Sequence, residues 1–107
     1  MEWLDTYRLT VFVPEEALED FIKAVSPHIP SFLGHYDHVC WWSERGTEQS
    51  RESPQGKIER VPSVKFECSL PKDTNLLERF IEERVRPAHS WTEPVLLVQE
   101  QKIMKNK

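Results

Sequence analysis

The 107-residue sequence contains no apolar run approaching the ~20 residues that a helix needs to cross a bilayer. Its first twenty residues carry Glu2, Asp5, Glu15 and Glu16 without a long apolar stretch, so no secretory leader is expected. A basic excess is also missing. Fourteen Lys and Arg against 18 Asp and Glu give a net charge of -4, whereas broad binding to a phosphate backbone needs a basic face. No nucleic-acid or membrane partner is therefore expected. Cysteine is scarce: Cys40 and Cys68 stand alone, and with no sign of secretion they read as free thiols of a cytoplasmic protein. Glycine is scarcer still for a nucleotide-binding chain. Gly34, Gly46 and Gly56 are too far apart to cradle a phosphate. There is no CxxC or HExxH spacing, and no cofactor is expected.

What is present is one domain's worth of periodic apolar sequence. A chain of this length buries roughly 65% of its unfolded surface, enough for one core. The whole of 1–107 reads as a single domain with its core within about 7–99. Tyr7 to Val13 is β-branched and aromatic and predicts a strand. Pro14, Glu15 and Glu16 suit the first turn of a helix. Leu18, Phe21, Ile22 and Val25 then fall on one helical stripe that Pro27 and Pro30 terminate. Tyr36 to Ser43 predicts a second strand, and the polar, aperiodic 44–57 a long mobile loop. Val64, Phe66, Cys68 and Leu70 alternate with polar residues, which marks a half-buried strand within Ile58 to Leu70. Asp73 is placed to cap a second helix with Leu76, Leu77, Phe80, Ile81 and Val85 on its apolar side, ended by Pro87. Pro94 to Gln99 is the last strand. Residues 1–6 read as a short arm and 101–107 as a frayed tail.

The order strand, helix, strand, strand, helix, strand predicts an α+β, ferredoxin-like βαββαβ fold, with a four-stranded antiparallel sheet and two helices on one face. The helices echo one another: Leu18-Glu19-Asp20-Phe21-Ile22 matches Leu77-Glu78-Arg79-Phe80-Ile81, and each follows a strand ending in an apolar residue and proline.

Four segments carry a further likeness: Tyr7 to Glu16 with Leu18, Gly34-His35-Tyr36-Asp37, Gly56 to Val61, and His89 with Trp91, Glu93 and Pro94. Taken together, the sequence resembles the small CutA-like, PII-like domain of the NIF-like (Ngg-interacting-factor-like) family. In full-length members this domain is inserted in a larger metal-binding protein; this chain looks like the free-standing kind. It departs from the family pattern at polar Thr47 to Gln55, at Val39 where the family has cysteine, and at Ser90 where it has proline. The family's two-metal site lies in flanking domains, so neither that site nor a cyclohydrolase activity is carried over to this chain. The resemblance implies a homo-oligomer, a trimer ahead of a dimer.

His38, Cys40 and His89 are the residues with metal-ligating chemistry, though strand alternation would put His35 on the face opposite His38 and Cys40. His38 and Cys40 could pair as base and nucleophile, but nothing nearby supplies an orienting acid or an oxyanion hole, so no enzyme is expected. The uncovered sheet face is more informative. With Val39 and Trp41 turned to the helices, Tyr36, His38, Cys40 and Trp42 would join Thr10, Phe12, Lys65 and Glu67 on the other side, and the two cysteines would lie on opposite faces. Such an aromatic face calls for a covering partner. Phe12, Tyr36, His38 and Trp42, with His89, Trp91 and Glu93 of the last connector, are the candidate ligand or interface residues. The expected function is a non-enzymatic oligomeric binding or regulatory module; the alternative is a metal-binding protein of CutA-like type.

Overall fold

The computed structural model describes residues 1–105. Five strands form one antiparallel sheet: β1 (Trp3–Pro14), β2 (Trp41–Trp42), β3 (Gly46–Ser50), β4 (Glu59–Pro71) and β5 (Leu96–Met104). The order is β2-β4-β1-β5, with β3 also pairing with β4. The two long strands lie at the centre, and β2 and β3 lie end to end along the outer edge of β4. The expected second strand, Tyr36 to Ser43, shrinks to Trp41–Trp42, and β3 forms within the expected loop, so the sheet of the described residues has five strands rather than four.

A 3-10 turn (Glu15–Ala17) leads from β1 into α1 (Leu18–Val25). After β4, Asp73 caps α2 (Thr74–Phe80), its carboxylate accepting from the Leu76 amide at 3.1 Å. The helix then widens into a π-helical turn (Ile81–Val85) and closes with α3 (Arg86–Ala88). Pro87 therefore does not stop the helix where its chemistry predicts. A proline ring collides with the carbonyl four residues back in a regular α-helix, and the wider π turn just before it relieves that conflict.

The core is made by one face of the sheet. Leu9, Val11 and Val13 of β1 and Val64, Phe66, Cys68 and Leu70 of β4 meet Leu18, Phe21 and Val25 of α1 and Leu77, Phe80 and Val85 of the second helical segment. Both helices consequently cover the same side. Phe21 meets Phe66 edge-on, with ring centres 5.1 Å apart.

Three expected boundaries are corrected. Residues 1–6 are not an arm and 101–104 not a frayed tail: Trp3 pairs with Met104 and Asp5 with Lys102 at the end of a β1–β5 ribbon. The Lys102 ammonium donates to the Asp5 carboxylate at 2.8 Å, and this bond holds the carboxyl below its usual range. Asn106 and Lys107 of the expected tail lie outside the described residues. The 44–57 segment is not all loop, since β3 pairs with Glu59–Ser63 in a hairpin arm. In both regions the strands are solvated on their two faces, so no apolar alternation betrays them; backbone pairing alone holds the register. Gly56 closes the turn of that arm, where an added Cβ would come within 2.7 Å of the Glu52 carbonyl oxygen. The two ribbons extend the molecule to 52 × 24 × 24 Å. Its radius of gyration is 15.2 Å, against about 13 Å for an ordinary domain of this length.

Candidate functional site: the open sheet face

The side of the sheet away from the helices is set by register. Thr6, Arg8, Thr10 and Phe12 of β1 stand opposite Pro71, Ser69, Glu67 and Lys65 of β4, while Leu97, Gln99 and Gln101 of β5 flank them. Its centre is a polar strip. The Arg8 guanidinium donates to the Ser69 hydroxyl at 3.0 Å and reaches the Glu67 carboxylate at 3.5 Å. The Thr10 hydroxyl donates to the other Glu67 oxygen at 2.6 Å. Arg8 and Glu67 are half-buried, so each charge relies on the other and on these hydroxyls for solvation lost to the sheet.

Apolar groups lie at both ends of this strip. At one end Tyr36 and Val39, with half-buried Phe32, Leu33 and Ile103, form a groove beside Arg8 and Ser69. At the other end Phe12, Trp41, Ser43, Ser63, Lys65 and the start of the β3 arm line an open-sided cavity of about 400 Å³. The Lys65 ammonium lies 5.8 Å from the centre of the Phe12 ring.

The two adjacent tryptophans divide between the faces, in the opposite sense to that expected. Trp41 pairs with Glu67 and stands on the open face, whereas Trp42 pairs with Phe66 and stands on the helix side. Cys40 likewise packs against the core that contains Cys68, so the cysteines share a face. The cause is local. His38 adopts φ +58°, a left-handed conformation that breaks the extended run between Tyr36 and Trp42. Alternation counted from Tyr36 therefore does not carry through to Trp42. Both thiols are free, and burial pushes Cys40 up and Cys68 up to about 12.

The candidate residues are not brought together in one site. Phe12, Tyr36 and Trp41 share the open face. His38 is exposed and pairs with Asp37 at 2.8 Å, while Cys40 turns inward. His89 is buried: its Nε2 bonds the Phe12 carbonyl at 2.7 Å and its Nδ1 accepts from the Trp91 amide at 2.9 Å. Both ring nitrogens are thus engaged, and His89 ties the last connector to β1 rather than lining a cleft. Trp91 tilts against its ring at 5.6 Å, and Glu93 is exposed. Among the described residues, no three His, Cys, Asp or Glu side chains are grouped to hold a metal ion, and no helix is long and apolar enough to cross a membrane. Trp41, Glu48 and Ser63 are cavity residues that sequence pattern did not place beside Phe12 and Lys65.

A central antiparallel pair with both helices on one face makes an α+β fold similar to that of CutA1. One detailed likeness is to a Bacillus cereus protein related to NIF3, with a TM-score of 0.77 and 26% identity over 94% of this chain. This chain spans only 27% of that protein's length. CutA1 of Oryza sativa matches with a TM-score of 0.68 at 13% identity, over 92% of this chain and 81% of its own. The divalent cation tolerance protein CutA1 of Thermus thermophilus gives 0.64 at 18%, over 88% and 82%. No protein-family model matches the chain, and no curated protein matches it.

Proposed function

We propose that this chain is a non-enzymatic, homo-oligomeric binding module of CutA-like type, in which the open sheet faces of neighbouring copies pack on one another. A trimer is favoured over a dimer, with ligand or partner contacts at the subunit cleft beside the β3 arm. The observation that carries this reading is the exposure of Tyr36, Val39, Trp41 and Leu97 on one uncovered face. A solvated face of that composition loses free energy that association recovers at about 25 cal/mol per Å² of apolar area. Thr6, Thr10, Ser63 and Ser69 of this face are buried within the single chain, so its exposed area lies mainly with the apolar groups at its margins. The likeness to two CutA1 chains over most of their length supports the comparison of whole modules.

The metal-binding alternative has weaker support here. His38 and Cys40 diverge and His89 has both nitrogens occupied.

Light scattering on micromolar protein tests the proposal. Three copies of the 12.7 kDa chain give about 38 kDa. Leu97→Asp and Val39→Asp, which place a charge on the open face without touching the core, are expected to yield monomer with the helical circular dichroism intact. A wild-type monomer at these concentrations would refute the proposal.

A further inference from the structure

We infer that Cys40 and Cys68 form a modification site, joining in a reversible cross-strand disulfide that fastens the entry of β2 to β4. The register carries this. Trp41 stands opposite Glu67 and Trp42 opposite Phe66, so one step back along the same ladder Cys40 falls opposite Cys68. The kind of pair follows from the hydrogen bonds. The Ser43 amide donates to the Lys65 carbonyl at 3.0 Å, and the Lys65 amide donates to the Ser43 hydroxyl at 3.0 Å, so Ser43–Lys65 is a hydrogen-bonded pair. Bonded and non-bonded pairs alternate along an antiparallel ladder. Trp42–Phe66 is therefore non-bonded, Trp41–Glu67 bonded and Cys40–Cys68 non-bonded. Residues opposed at a non-bonded position have Cα atoms about 4.5 Å apart, within the span of about 4.4–6.8 Å that a disulfide bridges.

Packing agrees with the register. Cys40 lies against the core that contains Cys68, which puts both side chains on the helix side of the sheet. Burial is the main cause that raises the Cys68 thiol, and the nearby Cys40 raises it further. Cys68 is fully buried and Cys40 half-buried, which orders the chemistry. A small disulfide reaches Cys40 alone. The Cys40 thiolate attacks one sulfur of that oxidant, forming a mixed disulfide and releasing the first thiolate. Cys68, deprotonated in turn, attacks the Cys40 sulfur and expels the second. The protein gives up two electrons and two protons, the protons end on the released thiolates, and the oxidant leaves as two thiols. Burial keeps both protein thiols protonated at neutral pH, so the exchange is slow and follows the lasting redox poise of the surroundings. Tyr36 and Val39 lie just before Cys40, so the bond fixes the end of the segment that carries one apolar margin of the open face.

The bond forms within one chain and does not rest on self-association. The test incubates reduced full-length protein with millimolar oxidised glutathione at mildly alkaline pH. Alkylation and mass spectrometry are expected to find a chain lighter by two hydrogens and without free thiols, and proteolysis a peptide joining Cys40 to Cys68. The melting temperature should rise by about 10 °C, because the closed chain restricts the unfolded state, and should fall back on adding dithiothreitol. Cys40→Ser, a change at a half-buried position, should fold, show no rise and leave Cys68 unmodified. Cys68→Ala should hold a stable glutathione on Cys40, because the resolving thiol is gone. A wild-type chain that keeps glutathione on Cys40, disulfide-linked dimers in place of the internal bond, an internal bond that forms only in urea, or two thiols left unchanged would overturn the inference.

Discussion

The two faces of the same sheet are made from alternate residues of the same strands, yet they solve different problems. The helix face is completed within the chain: Leu9, Val11, Val64 and Phe66 reach nearly zero exposure against α1 and the second helical segment. The open face is not. It places an Arg8–Glu67–Thr10 network between two apolar ends and leaves Tyr36, Val39, Trp41 and Leu97 uncovered. A hydrophobic core without charge needs only shape, whereas a partner for a face with a fixed charge network and apolar margins would have to match its pattern. The contrast locates the core on one side of the sheet and leaves the proposed contacts to the other.

That contrast is open to direct attack. The largest expected effect is on the helix face, where Phe66→Ala should cost about 3–5 kcal/mol, by the lost transfer energy and the cavity left behind. That is a large part of the total for a domain of this size, and urea unfolding would register it. Phe12→Ala, on the open face of the neighbouring strand, should cost less than half as much. Equal losses would break the division between faces.

The polar strip should come next. Glu67→Ala strands the half-buried Arg8 charge and removes the acceptor of Thr10, for a loss of about 2 kcal/mol. The double variant with Arg8→Met should recover part of that loss in a thermodynamic cycle, because no unpaired charge then remains.

A smaller effect lies in alkaline solution. The Cys68 thiol stays protonated in the folded chain to about pH 12, while in the unfolded chain it ionises near its ordinary value of 9.0. Above that value the unfolded state holds fewer protons, so stability is fully present below pH 9 and declines as pH rises. The contribution is about 1.4 kcal/mol lost by pH 10. Cys68→Ala should lower stability at neutral pH but flatten this alkaline slope in paired denaturation curves. An unchanged slope would place Cys68 outside the sealed core.

How much of this was legible in the sequence follows the same division. The alternation of Val64, Phe66, Cys68 and Leu70 and the stripe from Leu18 to Val25 were readable because one side of each element is buried, and burial writes periodicity into sequence. The α+β class and the position of both helices followed from them, while the likeness to CutA-type chains was carried by separate segments such as Gly34-His35-Tyr36-Asp37 and Gly56 to Val61. The ribbon ends and β3 carry no such pattern, since neither of their faces joins the core. A turn signal at Pro54-Gln55-Gly56, flanked by Thr47 and Val61, was the available cue to that hairpin. The face of Trp41 was misjudged because alternation was counted through His38, whose left-handed backbone leaves no trace in residue type. The cavity was hidden for a related reason: Glu48 and Ser63 come from an unrecognised hairpin.

Trp41 and Trp42 supply an internal control for packing of the open faces, because in the single chain they are 51% and 46% exposed on opposite faces. With 5-fluorotryptophan incorporated and the four resonances assigned by substitution, a soluble paramagnetic agent reports the access of solvent to each indole. If open faces pack on one another, Trp41 is shielded in the wild-type protein and becomes accessible in Leu97→Asp, while Trp42 is broadened equally in both. Equal broadening of Trp41 and Trp42 in the wild-type protein, unchanged by Leu97→Asp, would contradict it.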